Sequence, residues 1–146
     1  MARLDLRGPV ALDTNCLIYL LEQQGTPASQ AVESVVRDAF GHGLVLSTLT
    51  ITELLTGALR FGGADATAIL AAVIQELPGS RILPLDLTIA ERTARLRVET
   101  GLKLADAVVV ATAIVASADV LLTNDRQVAR VAVPPLRLVH LSDVAT

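Results

Sequence analysis

Five short, mostly apolar runs alternate with longer stretches of helical periodicity along this chain. We predict β-strands at residues 9–12, 44–47, 81–85, 120–123 and 136–141. The runs are largely continuous rather than alternating between apolar and polar residues, which is typical of strands buried on both faces. Strands of this kind, when helices connect them, form a parallel sheet with helices packed on both sides. The pattern therefore predicts an α/β fold with three α/β/α layers around a central parallel sheet of about five strands.

The stretches between these runs predict helices. They cover residues 16–22, 28–43, 50–63, 65–79, 88–101, 105–118 and 125–131. Glycine or proline ends several of them, as at Gly62-Gly63 and Pro78-Gly79, because these residues stop helices. In 28–43, six apolar residues follow helical spacing and predict one buried face: Ala31, Val32, Val35, Val36, Ala39 and Phe40. The segment 105–118 is apolar nearly all round, so we expect it in the core between layers.

Composition limits the classes of function. The chain has 146 residues, which suits one domain spanning 1–146, and its 52% hydrophobic content excludes a disordered protein. Aromatic residues make up only 2% and the net charge is -3, which disfavours a base-stacking platform or strong non-specific nucleic-acid binding. Cys16 is the only cysteine, so no internal disulfide forms. The residues up to Asp13 contain no long apolar segment, so we expect no secretory signal and a cytoplasmic protein.

Four acidic residues stand where the predicted strands meet the predicted helices. Asp13 and Asp125 each separate a strand from the helix that follows it. Glu53 is expected in the first turn of the helix after the second strand, and Asp106 opens the apolar helix. In α/β folds, ligands bind beyond the carboxyl ends of the strands, where the strand order reverses. We therefore expect these four carboxylates to converge at that edge of the sheet.

Such convergence would bring like charges together, since no Lys or Arg is adjacent in sequence to Asp13, Glu53 or Asp106. Close carboxylates repel one another, and some stay protonated, unless cations compensate them. Mg²⁺ prefers oxygen ligands and binds through a few carboxylates plus substrate phosphate, and two such ions can promote phosphodiester hydrolysis. The pattern therefore favours a divalent-metal site, and neutralising Asp13 or Asp106 is expected to stabilise the metal-free protein.

Each acid taken alone also has a structural interpretation. Asp is a preferred helix N-cap, carboxylates are favoured near helix N-termini, and Thr50-x-x-Glu53 matches a capping box. Two other acids serve as comparisons. Asp119 precedes a strand and is expected at the opposite edge of the sheet, whereas Asp86 is expected to be a plain N-cap. Only the joint arrangement of the four acids favours a binding site over caps.

Four segments resemble the motifs of the PIN domain in order and spacing: ALDTN (11–15), TITELLTG (50–57), LADAVVVATA (104–113) and LLTND (121–125). The chain particularly resembles VapC-type toxins of bacterial and archaeal toxin–antitoxin pairs, over nearly its whole length. The resemblance implies the strand order 3-2-1-4-5, which makes the strands before Asp13 and Asp125 neighbours. It also implies Mg²⁺- or Mn²⁺-dependent cleavage of RNA, with metal bound by Asp13, Glu53, Asp106 and Asp125, and with Asn15 and Thr123 in support.

The same resemblance implies partners. VapC-type proteins often form homodimers, and a small antitoxin inhibits them by covering the acidic groove, so we expect both here. One departure from the family pattern concerns Gln127 and Val128, where many relatives carry an acid and an aromatic residue. This departure puts a substrate contact at that position in doubt, but it removes none of the expected metal ligands.

Three alternatives compete with the nuclease interpretation. A haloacid-dehalogenase-like phosphatase would need a second Asp where Asn15 stands, and a Lys farther from the late acids than Lys103. A non-catalytic PIN-like module that binds RNA or protein remains open, although such a module need not retain all four acids. Nucleophilic cysteine chemistry has no evident base near Cys16, so we expect Cys16 to be a small buried residue. His42 and His140 are expected to be structural or surface groups rather than ligands.

Overall fold

A single five-stranded sheet forms the centre of the molecule. A computed structural model describes residues 4–61, 65–77 and 79–144. The strands are β1 (Val10–Leu12), β2 (Leu44–Ser47), β3 (Arg81–Leu83), β4 (Val120–Thr123) and β5 (Arg137–His140). They lie in the order β3-β2-β1-β4-β5, and every pair is parallel. The predicted parallel sheet and its strand order are confirmed, and the order reverses between β1 and β4.

Helices connect the strands as predicted, with bounds that shift by a few residues. Within the described ranges they are α1 (Thr14–Glu22), α2 (Pro27–Asp38), α3 (Thr48–Arg60), α4 (Ala66–Glu76), α5 (Leu87–Thr100), α6 (Leu104–Val115) and α7 (Arg126–Ala129), followed by a 3-10 turn at Leu141–Asp143. The predicted stops at Gly62-Gly63 and at Pro78 lie outside the described residues. The third strand is shorter than predicted and ends before Pro84, because proline has no N–H to donate to a neighbouring strand.

Successive residues of the strands face two separate cores, since side chains alternate across a strand. Val10 and Leu12 pack with α1–α4 on one side of the sheet. Ala11, between them, packs with α5 and α6 on the other side. Burying one such Leu or Val side chain contributes about 1.5–3 kcal/mol, so both helical layers are held by the sheet. The three-layer α/β/α arrangement is therefore confirmed.

Helix α6 lies in the core, as its composition predicts. Residues 107–113 are all buried, and α6 packs against α5 as well as β2 and β4. Alanine at positions 107, 111 and 113 is fully buried, and these small side chains let neighbouring elements approach closely. Helix α6 has only 12 residues. Among the helices of the described ranges, none combines the length and apolar character that a membrane crossing requires.

The prediction that Phe40 belongs to the buried face of the second helix is wrong. Helix α2 ends at Asp38, with Ala39 as its C-cap, and the Phe40 side chain is 87% exposed. The chain then turns through Gly43, which has a φ of +96°, to enter β2. Helical spacing stops defining a common face once the helix ends, so Phe40 does not follow Val35 and Ala39 into the core.

Candidate functional site

The four acids singled out in the sequence line one pocket at the carboxyl edge of the sheet. The cavity has a volume of about 120 Å³. Its polar wall comes from Asp13, Thr14, Asn15, Glu53, Asp106, Thr123 and Asp125. Leu121 and Val128 contribute to its apolar wall. The pocket sits where β1 and β4 run side by side, which is the point at which the strand order reverses and where ligands bind in α/β folds.

Asp13 is both a helix cap and a link to the neighbouring strand. Its Oδ1 accepts a hydrogen bond from the backbone N–H of Cys16 at 2.9 Å and so caps α1. Its Oδ2 accepts from the Thr123 hydroxyl at 2.6 Å and from the backbone N–H of Asn124 at 3.0 Å. A carboxylate has about four acceptor positions, so these three donors leave little rotational freedom. The cap and site interpretations of Asp13 are compatible.

Asp125 is tied to Asp13 through Thr123. Its side chain caps α7 by accepting from the backbone N–H of Gln127 at 2.8 Å. Its own backbone N–H donates to the Thr123 hydroxyl oxygen at 3.0 Å, and that same hydroxyl donates to Asp13. Thr123 is 1% exposed. One buried hydroxyl therefore fixes the positions of two acids, one at the end of each neighbouring strand.

Glu53 reaches the pocket, but the prediction of its helical position is wrong. Helix α3 begins at Thr48, and its N-cap is Ser47, whose hydroxyl accepts from the Leu49 N–H at 3.1 Å. Glu53 therefore lies in the second turn and takes part in no capping box. The helix starts earlier because Ser47 ends β2 in an extended conformation that suits an N-cap. The Glu53 carboxylate instead accepts a 2.7 Å hydrogen bond from the Thr14 hydroxyl.

Asp106 lies in the first turn of α6, where Lys103 is the N-cap and makes no capping hydrogen bond with its side chain. The pKa of the Asp106 carboxyl is raised above its ordinary value. Burial is the largest cause, and the negative charges of Asp125, Glu53 and Asp13 add to it, while the charge of Lys103 opposes them. Asp106 thus experiences repulsion from all three other acids, which is expected where like charges are held close together.

Cys16 and the two histidines, the other candidates for catalytic chemistry, have structural or surface positions. Cys16 is buried, and burial together with the neighbouring Asp13 strongly raises the pKa of its thiol. A neutral buried thiol is a poor nucleophile, so the expectation of a small buried residue is confirmed. His140 accepts from the Ser142 N–H at 3.1 Å and caps the 3-10 turn, whereas His42 is exposed.

Both comparison acids lie where the sequence predicts. Asp86 is the N-cap of α5 and accepts from the Ile89 N–H at 2.9 Å. Asp119 precedes β4, at the amino edge of the sheet, and forms a 2.7 Å ion pair with Arg137. Neither belongs to the acid pocket.

Three site residues were missed by sequence reasoning: Thr14, Tyr19 and Asn124. Thr14 and Asn124 directly adjoin Asp13 and Thr123, so their position in the strand–helix turns was a visible signal. Tyr19 carried no signal, because from the middle of α1 it contacts Asn124 beside the pocket rather than the pocket itself. Its hydroxyl accepts from the Asn124 side-chain amide at 2.8 Å. Asn15, predicted as a supporting residue, lies on the pocket wall with an exposed side chain.

A family model connects this geometry to known proteins. The model of the PIN domain matches residues 10–134, which include all four acids. The chain belongs to the PIN domain family. The resemblance that the four sequence motifs carry is therefore confirmed. No curated protein matches this PIN domain significantly in sequence.

Solved structures share the fold. A chain of a toxin–antitoxin complex from Klebsiella pneumoniae is 27% identical, with a TM-score of 0.67 over 87% of this chain and 94% of that chain. DNA-bound VapBC from Salmonella typhimurium is 21% identical, with a TM-score of 0.68 over 92% and 98% of the two chains. A sarcin–ricin loop cleaving VapC toxin from Mycobacterium tuberculosis is 18% identical, with a TM-score of 0.59 over 77% and 86%. This PIN domain is thus similar in structure to VapC toxins.

The donor set suits a hard divalent cation that is bound only in part by protein. Among the residues that the structure describes, no three Asp, Glu, His or Cys side chains form a group that could hold a metal ion. Mg²⁺ does not require such a cage, since it keeps several waters and binds through one or two carboxylates plus substrate phosphates. All four acidic side chains offer oxygen, the ligand atom that Mg²⁺ and Mn²⁺ prefer. The pocket therefore fits a metal ion that is bound by some of these carboxylates and takes its remaining ligands from water and substrate.

Proposed function

We propose that this PIN domain is a metal-dependent endoribonuclease that hydrolyses RNA phosphodiester bonds as the toxin of a type II toxin–antitoxin pair in the cytoplasm. The observation that carries the proposal is the electrostatic state of the pocket. Four carboxylates from four segments of the chain line one cavity, and the charges of three of them help to raise the pKa of the fourth, Asp106. A fold that holds like charges together in this way gains stability when cations bind there.

All four acids take part in the proposed chemistry. Mg²⁺ or Mn²⁺ would supply an activated water for attack on phosphorus and stabilise the leaving oxygen. Asp13, Glu53, Asp106 and Asp125 would bind the metal. Asp13 and Asp125 are fixed by hydrogen bonds at the ends of β1 and β4, and Glu53 is oriented by the Thr14 hydroxyl. Thr123 supports the two fixed acids, and Asn15 would contact bound water or substrate from the pocket wall.

The toxin role has its support in the similar structures. The Klebsiella pneumoniae protein is part of a toxin–antitoxin complex, and the Mycobacterium tuberculosis toxin cleaves the sarcin–ricin loop. By analogy, we expect a small antitoxin that places an Arg or Lys side chain against the four acids, because such a cation would compensate their charge. We also expect a homodimer. A monomer in light scattering, combined with harmless expression in the absence of any partner, would contradict both expectations.

A non-catalytic PIN-like module that binds RNA or protein is the alternative. A binding module has no need for a cluster of mutually repelling carboxylates, so retention of all four in one pocket favours the enzyme. Metal-dependent turnover by the pure protein separates the two functions.

The test compares two aspartates that are both N-caps after a strand. Purified protein and labelled RNA are incubated with Mg²⁺, Mn²⁺ or EDTA, and cleavage is followed on gels. We expect cleavage with metal and none in EDTA. Asp125→Asn should reduce the rate by about two orders of magnitude or more, whereas Asp86→Asn, which alters the cap of α5, should leave it nearly unchanged. Full activity in EDTA, or equal loss in the two variants, would refute the proposed mechanism.

A further inference from the structure

The residue between Thr123 and Asp125 is held from two sides by one helix. The backbone N–H of Asn124 donates to Asp13 Oδ2 at 3.0 Å, and Asp13 is the N-cap of α1. The side-chain amide of Asn124 donates to the Tyr19 hydroxyl at 2.8 Å, and Tyr19 lies farther along the same helix. Helix α1 therefore clamps Asn124 by its backbone and by its side chain.

This clamp acts on the segment that carries two of the four acids. Asn124 is joined to Asp125 by a single peptide bond, and the Asp125 N–H donates to the Thr123 hydroxyl. That hydroxyl in turn donates to Asp13 Oδ2. The backbone N–H groups of Asn124 and Asp125 thus bind the β4–α7 turn to Asp13 and to Thr123. A hydrogen bond that holds Asn124 therefore restrains the same turn, and with it the positions of the Asp13 and Asp125 carboxylates.

We propose that Tyr19 is a positioning residue, whose hydroxyl holds Asn124 and thereby keeps the Asp13 and Asp125 carboxylates in place for metal binding. Tyr19 does not line the pocket, so it acts through Asn124. Residues that orient metal ligands through hydrogen bonds typically contribute 10- to 100-fold to metal affinity or activity. The effect on metal binding rests on the proposed function, whereas the effect on the turn is independent of it.

The first measurement uses metal-free protein. Tyr19→Phe removes only the hydroxyl and keeps the ring that packs against the core. We expect amide hydrogen exchange at Asn124 and Asp125, followed by NMR, to become about 2- to 10-fold faster, because one hydrogen bond is lost. Exchange in the centre of β1 and β4 should not change. Unaltered exchange at both amides would overturn the proposal, whether or not the protein binds metal.

The second measurement is Mn²⁺ binding by calorimetry. Tyr19→Phe should weaken it by about tenfold or more. Thr93→Val is the matched control, since it removes a buried hydroxyl that donates within α5 at 2.7 Å, away from the pocket. This control should leave both the Mn²⁺ affinity and the exchange at Asn124 unchanged. If wild type binds Mn²⁺ and Tyr19→Phe binds it equally well, the proposal fails.

A double-mutant cycle tests whether Tyr19 acts through Asn124. Asn124→Ala removes the amide that contacts the Tyr19 hydroxyl but keeps the backbone N–H. If the two residues act as one unit, the double variant should exchange at Asp125 no faster than the more affected single variant. Additive effects would show that Tyr19 acts by another route and would overturn the proposal.

If wild type binds no Mn²⁺ while Tyr19→Phe still accelerates exchange, the positioning role stands and the proposed nuclease function falls.

Discussion

Asp119 and Asp106 lie at opposite edges of the same sheet. The surroundings of Asp119 stabilise its negative charge, whereas those of Asp106 destabilise it. Asp119, at the amino edge, accepts from the Arg137 guanidinium and from the Arg7 backbone N–H, both at 2.7 Å. Burial alone would raise the pKa of its carboxyl, but these hydrogen bonds and the two Arg charges lower it overall. The charge of Asp119 is therefore compensated within the chain.

At the carboxyl edge, Asp106 has the opposite balance. Burial and the charges of Asp125, Glu53 and Asp13 raise the pKa of its carboxyl, and only Lys103 opposes them. The two aspartates teach that the position of an acid at a strand end does not define its role. A carboxylate with an arginine partner completes a structural ion pair, whereas the clustered carboxylates around Asp106 raise its pKa and so favour the binding of a cation.

The largest expected difference between the two edges is in catalysis. Asp106→Asn should lower the rate of Mn²⁺-dependent RNA cleavage by about two orders of magnitude or more, because it removes one of the proposed metal ligands. The same substitution at Asp119 should change the rate by no more than a few-fold at a temperature where both variants are folded. Single-turnover cleavage assays measure both. Comparable losses at the two positions would remove the functional distinction between the edges.

The next largest effect concerns the stability of the amino edge. Asp119→Asn should lower the free energy of unfolding at neutral pH by about 1–3 kcal/mol, since it weakens hydrogen bonds to a charged group. The pKa of Asp119 is lowered by folding, so its contribution is fully present above the unfolded-state pKa and is lost as the pH falls through the folded-state pKa. Melting curves of wild type and variant should converge in that acidic range. A constant difference at every pH would mean that packing, not charge, is responsible.

A smaller effect separates capping from site functions in α3. Ser47→Ala should reduce stability by about 0.5–2 kcal/mol, because the hydroxyl of Ser47 caps the helix. Glu53→Ala, at an exposed position in the second turn, should change stability by less than about 0.5 kcal/mol while weakening the stabilisation of the protein by Mn²⁺. Thermal melts in EDTA and in Mn²⁺ compare the two. A large loss of stability in Glu53→Ala under EDTA would contradict the assignment of Ser47 as the cap.

The smallest expected effect is a gain in stability rather than a loss. Asp106→Asn should raise the melting temperature of the metal-free protein at neutral pH. The charge of Asp106 interacts favourably with the start of α6, but its raised pKa means that the surroundings as a whole disfavour the charged form. Because this folded-state pKa lies above the unfolded value, the wild-type protein loses stability as the pH rises through it. The advantage of the variant should therefore vanish at acidic pH, and a variant that melts lower at neutral pH would contradict the repulsion.

The sequence predicted those parts of the structure that depend on local pattern. Apolar runs located all five strands, and acids at strand ends located the pocket, because parallel strands place their carboxyl ends at one edge. Ser47 was not recognised as a cap, since several neighbouring hydroxyl residues could serve equally well. Phe40 was placed in the core because periodicity does not show where a helix ends. The assignment of the four acids as metal ligands stays a prediction.

Individual side-chain hydrogen bonds between distant parts of the chain could not be predicted from the sequence. Thr14 and Glu53 are 39 residues apart, and Tyr19 and Asn124 are 105 apart. Such pairs form only when layers pack, so neither residue carries a local signal of its partner. The sequence predicted that some of the four carboxyls have a raised pKa but not that Asp106 is the one, because burial, the largest cause, and the distances to Asp125, Glu53 and Asp13 are defined only in the folded chain.

The three donors that converge on Asp13 bear on which inactive variant should be chosen for crystallisation with the proposed RNA substrate. An amide at this position has one oxygen and one NH₂ group, so at least one of the N–H and O–H groups that now point at the carboxylate would meet another donor. From these contacts we expect Asp13→Asn to destabilise the metal-free protein, in contrast to the expectation from the sequence alone. Within the described ranges, no hydrogen bonds to the Asp106 carboxylate correspond to these. Asp106→Asn should therefore leave the turn that shapes the pocket as it is, which makes it the better variant for capturing the proposed substrate complex.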